Sequence, residues 1–436
     1  MNLKGENMKK SKFIKSTIIL IIGGMITKLM SMFIKIIITR LVGVEGMGLY
    51  MLISPTFMLL IGLSQFGFPV AVSKLVSENK KNNRQLVFGI IPLSLILNIL
   101  IIIVLFLTSN FLSTNMLKES RTYYALISIG LVLPFISISS ILRGYFFGKE
   151  KMIPHVISNI TEDIVRLIVI VIGIPLYLTK GLEFAVAFIV LSNIFSELTS
   201  ILVLFFFLPK KFKLSKKDFK LNKNYLKDVL DISLPSTGSR LIGNIGHFFE
   251  PIIITFVLLK IGYSNHFILT EYGTITGFIM PLLLMPSFFT LAISNALIPT
   301  VSYAFTNNQK VYAKNKINQA LFFSLLIGVP VTIIFMLFPE FLLKFIYNTT
   351  NGVTYLRILA PIFILYYIQI PLTSSLQSIG KAKEAMNGTL VGIIIKTSLL
   401  FIFSSFKIGL WGLVIATSVN ILYVTIHHYR CVYKSF

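Results

Sequence analysis

A few ionisable residues stand inside the most apolar stretches of this chain, and their spacing is helical. Gly24, Lys28, Ser31 and Lys35 fall at i, i+4, i+7 and i+11, on one face of an α-helix. Ser236, Arg240, Asn244 and His247 keep the same helical period at i, i+4, i+8 and i+11, with Gly243 and Glu250 on the adjoining edge. A third group, Ser158, Asn159, Glu162, Asp163 and Arg166, contains an acid and a base at i, i+4 with the acid N-terminal, the favoured order for a helical ion pair. Asn193, Ser196, Glu197 and Ser200 share one face of another stretch, as do Tyr366, Gln369, Thr373 and Gln377, while Lys396 lies near the centre of a further apolar run.

An ionisable group at the middle of a bilayer costs at least about 2.5–3.5 kcal/mol to insert, so such a residue is expected to face a partner or a polar cavity. Lys28, Arg240 and Lys396 lie too deep to reach an interface, whereas Lys35 is near enough to a helix end to snorkel. Cations dominate the midplane of the implied cavity, and the arginine fork matches phosphate oxygens. Lys28, Lys35, Arg166, Arg240, Asn244 and Lys396 are therefore expected to bind an anionic, phosphate-bearing amphiphile. Glu162, Asp163, Glu197, Glu250 and His247 are expected either to balance that charge or to couple to Na+ or H+. Three structural readings stay open: Glu162 with Arg166 as an intrahelical pair, His247 as a satisfied interior histidine, and the Ser, Thr and Asn stripes as interhelical glue.

The elements that must position these residues follow from composition. Of 436 residues 55% are hydrophobic and only 13% charged, with a mean hydropathy of +0.84. A soluble domain carries roughly 25% charge, so lipid is the solvent that suits this surface. Twelve apolar segments are expected to span, near 16–41, 47–73, 86–108, 122–146, 154–179, 182–208, 228–259, 268–303, 317–338, 354–378, 384–405 and 409–429. The basic start followed by an apolar run is expected to be the first span, since no small-residue cleavage site follows. A net charge of +24 would elsewhere suggest nucleic acid; here Lys and Arg concentrate in every second connection, which is a topology signal. Both termini are accordingly expected in the cytoplasm, in a monomer of the cytoplasmic membrane surrounded by membrane lipids. Cys431 is the single cysteine, so no disulfide framework or Cys/His metal cluster is expected, and no cofactor.

The lysine-rich stretch 209–224 divides the chain into an N-terminal lobe, 1–208, and a C-terminal lobe, 225–436, of six spans each. Two echoes suggest an internal repeat. Val76-Ser77 with Asn82-Asn83 returns as Val301-Ser302 with Asn307-Asn308, and Gly148-Lys149-Glu150-Lys151 returns as Gly380-Lys381-Ala382-Lys383. The fold expected is an all-α polytopic membrane protein of about twelve helices in two pseudo-symmetric six-helix bundles around a central cavity. Spans one and seven would then face each other with their polar stripes. A membrane-embedded enzyme is not expected, because the longest loop is lysine-rich and holds only Asp218 among carboxylates.

Two segments carry a resemblance. The run Thr39-Arg40-Leu41-Val42-Gly43-Val44-Glu45-Gly46-Met47-Gly48-Leu49-Tyr50 resembles the arginine–leucine–glycine-rich approach to span two in the multidrug/oligosaccharidyl-lipid/polysaccharide exporter superfamily. Leu142-Arg143-Gly144-Tyr145-Phe146-Phe147-Gly148, continuing through Met152-Ile153-Pro154 to Val165-Arg166, is similar to its stage V sporulation protein B branch. The resemblance implies two six-helix bundles, alternating access, and a lipid-linked saccharide or peptidoglycan precursor as cargo. In related lipid II flippases cavity arginines are thought to engage the diphosphate; Arg240, Lys28 and Lys35 are the candidates for that role here, on the strength of the polar stripes and not of an exact motif match. Members of that branch often carry fourteen spans, against the twelve counted here. A cation-coupled multidrug exporter is the alternative within the same superfamily; such exporters commonly place a carboxylate in the first helix, where this chain has Lys28 and Lys35.

Overall fold

A computed structural model describes residues 3–78, 82–209 and 223–436. Among these every regular element is a helix, as required where lipid offers no hydrogen bonds and the backbone must satisfy itself. In chain order they are α1 (Leu3–Gln65), α2 (Phe68–Glu78), α3 (Asn83–Phe111), α4 (Tyr123–Gly148), α5 (Met152–Leu178), α6 (Leu182–Phe207), α7 (Lys223–Lys260) and α8 (Asn265–Gly273). They continue as α9 (Met280–Leu284), α10 (Ser287–Thr306), α11 (Lys310–Leu337), α12 (Pro339–Tyr347), α13 (Val353–Ser378), α14 (Ala382–Ser404) and α15 (Trp411–Tyr433). Most of the basic stretch 209–224 lies outside the described residues.

Each of the twelve apolar segments coincides with helix, though not always with a separate one. Spans one and two share α1, whose helical geometry breaks at Gly43 (φ 71°, ψ −174°), a left-handed value tolerated because glycine has no Cβ. Span eight is assembled from α8, a π-helical turn over Thr274–Ile279, α9 and α10. Span seven, α7, bends by 40° between Gly238 and Gly243. Among the described residues nine helices are long and apolar enough to cross a membrane, or ten with the bent pair. Ile22–Glu78 holds two spans within one of these. α5 and α15 fall below the mark because α5 carries Glu162, Asp163 and Arg166 and α15 carries His427 and His428.

The chain forms two compact units, Met1–Val42 with Leu52–Phe248, and Gly43–Met51 with Phe249–Phe436. In the first, α4 packs on α2, α3 and α6, and α5 on α6. Phe68, Val72, Leu86, Phe88, Leu142 and Phe146 close its core. Gly144 and Gly148 bring α4 into backbone contact with α2: a Cβ at Gly144 would lie 2.6 Å from the Pro69 carbonyl oxygen, and one at Gly148 would lie 2.5 Å from that of Ser73. Small residues at i, i+4 are the usual means of close helix approach where lipid removes the hydrophobic drive. A buried polar knot ties α4 to α1 and α3. Ser137 donates to the Ser64 carbonyl at 3.1 Å and meets the Ser94 hydroxyl, while Asn98 donates to the Ser94 carbonyl at 2.7 Å. Leu107 and Phe206, 73% and 86% exposed, show the opposite, outward-facing surface.

In the second unit α13 packs on α10, α11 and α15, and α14 on α15, around Val301, Ala313, Ile317, Leu372 and Leu376. Gly48 and Gly273 meet backbone to backbone, since a Cβ at Gly273 would lie 2.7 Å from the Gly48 Cα. Tyr367 donates to the Leu283 carbonyl at 2.7 Å. His428 is fully buried and satisfied: Nε2 donates to the Ala385 carbonyl at 3.1 Å and Nδ1 lies 3.0 Å from the Thr373 hydroxyl. Thr425 reaches the Gln369 side chain at 3.4 Å, so part of the span-ten stripe joins α13 to α15.

Backbone contact leaves no room for a methyl group. Gly144→Ala is expected to destabilise the protein by about 1–3 kcal/mol, whereas Gly24→Ala, with nothing within 4 Å of the added Cβ, is expected to be neutral or slightly stabilising. Thermal unfolding of the two purified variants in detergent compares them directly.

Candidate functional site

The densest group of charges lies in the first unit, where α4, α5 and α6 meet. Arg143, near the C-terminal end of α4, donates through Nη2 to the Glu162 carboxylate of α5 and to the Ser200 hydroxyl of α6 at 2.8 Å. The Glu197 carboxylate of α6 lies 3.7 Å from the same nitrogen. These three ionised side chains are 19%, 20% and 8% exposed. Asp163 and Arg166 stand within electrostatic reach on α5. Two guanidiniums thus face three carboxylates, a formal charge of −1. Arg143 Nε, Arg166 Nε and Glu197 Oε2 are buried with no hydrogen-bond partner among the described residues. Each orphaned polar atom costs about 1–3 kcal/mol, so the group has unmet capacity to bind a small polar species or a proton.

Two sequence expectations change here. Glu162 takes Arg143 as its partner, across helices, and no ion pair joins it to Arg166 one turn along α5. Arg143 itself, not among the residues singled out for their spacing, is the centre of the network. Its flanks were the available signal: Ile141, Leu142, Tyr145 and Phe146 are all buried, as a loop segment would not be. Glu197 and its neighbours do share the inward face that their spacing indicated, with Asn193, Ser196 and Ser200 all buried.

The second unit holds one charge pair of a different kind. Lys396 of α14 donates to Glu250 Oε2 of α7 at 2.6 Å, and Tyr272 of α8 donates to Oε1 at 3.3 Å. The lysine and glutamate side chains are 18% and 11% exposed, and the tyrosine is 2% exposed. The spacing arguments placed Lys396 and Glu250 in separate roles; the structure joins them into a neutral pair. Tyr272 was missed, since nothing in its local sequence marks it as polar contact.

The remaining cations are arranged otherwise. Lys28 is exposed and Lys35 half-buried on one face of α1. Arg240 of α7 is exposed and donates to the Gln65 side-chain oxygen of α1 at 2.7 Å, while Asn244 approaches the Met58 carbonyl at 3.5 Å. Among the described residues no carboxylate lies within ion-pair distance of Lys28, Lys35 or Arg240. Arg240 is thus oriented by a neutral amide. His247 is exposed on the same edge of α7.

Comparison with known proteins places this geometry. Residues 13–305 match the family described as polysaccharide biosynthesis protein, and residues 272–402 match MatE. Stage V sporulation protein B of Bacillus subtilis is 36% identical over 98% of this chain and 85% of its own length. The Lipid II flippase MurJ of the same organism is 24% identical over 88% of this chain and 76% of its own. A solved multidrug resistance MATE family transporter of the MOP superfamily superposes with a TM-score of 0.77, at 18% identity, over 94% of both chains. A MOP superfamily transporter from Pyrococcus furiosus superposes with a TM-score of 0.65, at 17% identity, over 98% of this chain and 95% of its own.

Removing one partner of a buried ion pair strands the other. Arg143→Gln is expected to destabilise the protein by about 3–5 kcal/mol, and Arg143→Gln with Glu162→Gln to recover part of that loss. Melting temperatures of the single and double variants, compared as a cycle, test the assignment; equal losses in both would remove Glu162 as the partner that matters.

Proposed function

The chain belongs to the polysaccharide biosynthesis protein family, in the stage V sporulation protein B-like branch of the multidrug/oligosaccharidyl-lipid/polysaccharide exporter superfamily, and from that premise we propose that it flips a lipid-diphosphate-linked oligosaccharide or peptidoglycan precursor. It is a multi-span membrane transporter and not an enzyme. The observation that carries the finer reading is the uncompensated charge of Arg240, held by Gln65 and not by an acid. A guanidinium kept positive and oriented by a neutral partner suits a ligand that brings its own negative charge, and its fork suits a diphosphate. Lys28 and Lys35 share that uncompensated character, so these three cations bind the headgroup in this reading. Asn244 extends the same stripe as a neutral donor. Arg166 and Lys396 then serve the charge networks.

The relationship to a named lipid II flippase supports a lipid-linked cargo, with the saccharide crossing and the lipid tail left in the bilayer. Transport proceeds by alternating access in the cytoplasmic membrane, with both termini cytoplasmic as the loop charges indicate, and the protein acts as a monomer. Coupling to H+ or Na+ falls to the network of Glu162, Asp163 and Glu197, which has an excess carboxylate and an unpartnered oxygen. Glu250 is already neutralised by Lys396, and His247 is left as an accessory group on the cation stripe. The MatE match over residues 272–402 favours a second reading, a cation-coupled multidrug exporter.

Reconstitution in liposomes with a fluorescent lipid-diphosphate saccharide separates the two. Charge-assisted hydrogen bonds are worth about 1.5–3 kcal/mol, so Arg240→Ala and Lys28→Ala are expected to slow flipping by roughly 10- to 100-fold while the protein still inserts. Unchanged flipping in both variants would sink the headgroup assignment. Altered drug susceptibility on expression, with no saccharide flipping, would favour the exporter.

A further inference from the structure

A second cationic site lies far along the chain from the residues just discussed. Spans nine and ten, α11 and α13, carry Lys310–Lys316 and Lys381–Lys383 at one end; at the other end they are joined through the short helix α12. The chain turns at Phe338 (φ −123°, ψ 40°), Pro339 opens α12, and Asn348 closes it in the left-handed conformation (φ 57°). Leu343 and Tyr347 anchor α12 inward, while Phe338, Phe341 and Phe345 are 57%, 66% and 69% exposed. The rings of Phe341 and Phe345 stack at 5.9 Å. This is the composition of an interfacial helix, apolar on the face that meets acyl chains and charged at its edge.

Beside those rings lies a cleft of about 390 Å³, lined by Phe338, Pro339, Glu340, Phe341, Lys344 and Arg357. Lys344 comes from α12 and Arg357 from the first turns of α13, so two helices bring cations to one cavity. Glu340 and Lys344 have the i, i+4 spacing that favours an ion pair, yet neither they nor Arg357 form one among the described residues. The three groups sum to +1. Lysines that merely snorkel to an interface need no cavity between them; here the charge, the volume and the exposed aromatic rings coincide.

We propose that this cleft binds the headgroup of an anionic phospholipid, its phosphate between Lys344 and Arg357 and its acyl chains along Phe338, Phe341 and Phe345. A monoanionic phosphodiester neutralises the site, whereas a zwitterionic headgroup leaves the +1 unmatched. The site is separate from the Arg240 stripe and does not depend on what the transporter carries.

Native mass spectrometry of the full chain in detergent, with phosphatidylglycerol or phosphatidylcholine added at equal concentration, reads it out. The wild type is expected to retain one phosphatidylglycerol with about tenfold preference over phosphatidylcholine. Lys344→Gln with Arg357→Gln is expected to lose that molecule. Lys310→Gln with Lys316→Gln, which removes the same charge at the opposite ends of the spans, is expected to keep it. Lys344, Arg357 and Lys310 are exposed and Lys316 is half-buried, so an unchanged melting temperature verifies that the variants fold. Equal phosphatidylglycerol retention by the wild type and the Lys344/Arg357 variant, or an equal loss in the Lys310/Lys316 variant, overturns the proposal.

Discussion

Arg143 stands where three helices of the first unit converge, and its guanidinium is what lets α5 and α6 turn acids inward. Without a cation between them Glu162 and Glu197 would repel in a medium that screens poorly, and two carboxylates could not be held so near the same point. The polar face of α6, from Asn193 to Ser200, and the acids carried by α5 both belong to that meeting. Stability alone does not require it, because a buried ion pair replaced by well-packed apolar side chains is often neutral or better. The glycines that follow Arg143 serve the same contact: Gly144 and Gly148 fix the depth at which α4 sits against α2, and so the point from which the arginine reaches α5 and α6.

The cations inside the membrane segments fall into two kinds. Arg143 and Lys396 have carboxylate partners from other helices and form part of the scaffold's electrostatics. Arg240 has an amide, and Lys28 and Lys35 have no acid at ion-pair distance among the described residues. Burial follows the same division: Arg143 and Lys396 are 19% and 18% exposed, whereas Lys28 and Arg240 are exposed and Lys35 is half-buried.

Helices were legible in the sequence because hydropathy and backbone hydrogen bonding act over local windows, and a bilayer allows few alternatives. The shared faces were legible for the same reason: Asn193, Ser196, Glu197 and Ser200 turn inward together as a 3.6-residue period requires. Partners were not. Arg143 meets Glu162 across 19 positions and Glu197 across helices, and Lys396 meets Glu250 across 146, distances over which spacing says nothing. Local rules favoured Glu162 with Arg166, and tertiary packing overrode a preference worth about 0.2–0.5 kcal/mol. The break at Met285–Pro286 was equally hidden, since an apolar run reads the same whether it forms one helix or three.

The pairing of Glu250 with Lys396 has an electrical side. Moving one elementary charge through 100 mV is worth about 2.3 kcal/mol, but a carboxylate and an ammonium 2.6 Å apart travel as a dipole with no net charge. Any shift of α14 and the adjoining part of α7 that keeps the pair intact therefore does almost no work against the membrane voltage. On the function proposed above, a response to voltage falls instead to the excess carboxylate of the first unit and to Lys28, Lys35 and Arg240, which have no acid at ion-pair distance among the described residues. On that same function an anionic headgroup lowers the net charge of those three cations without reversing it, so the loaded and empty forms sense the same voltage differently.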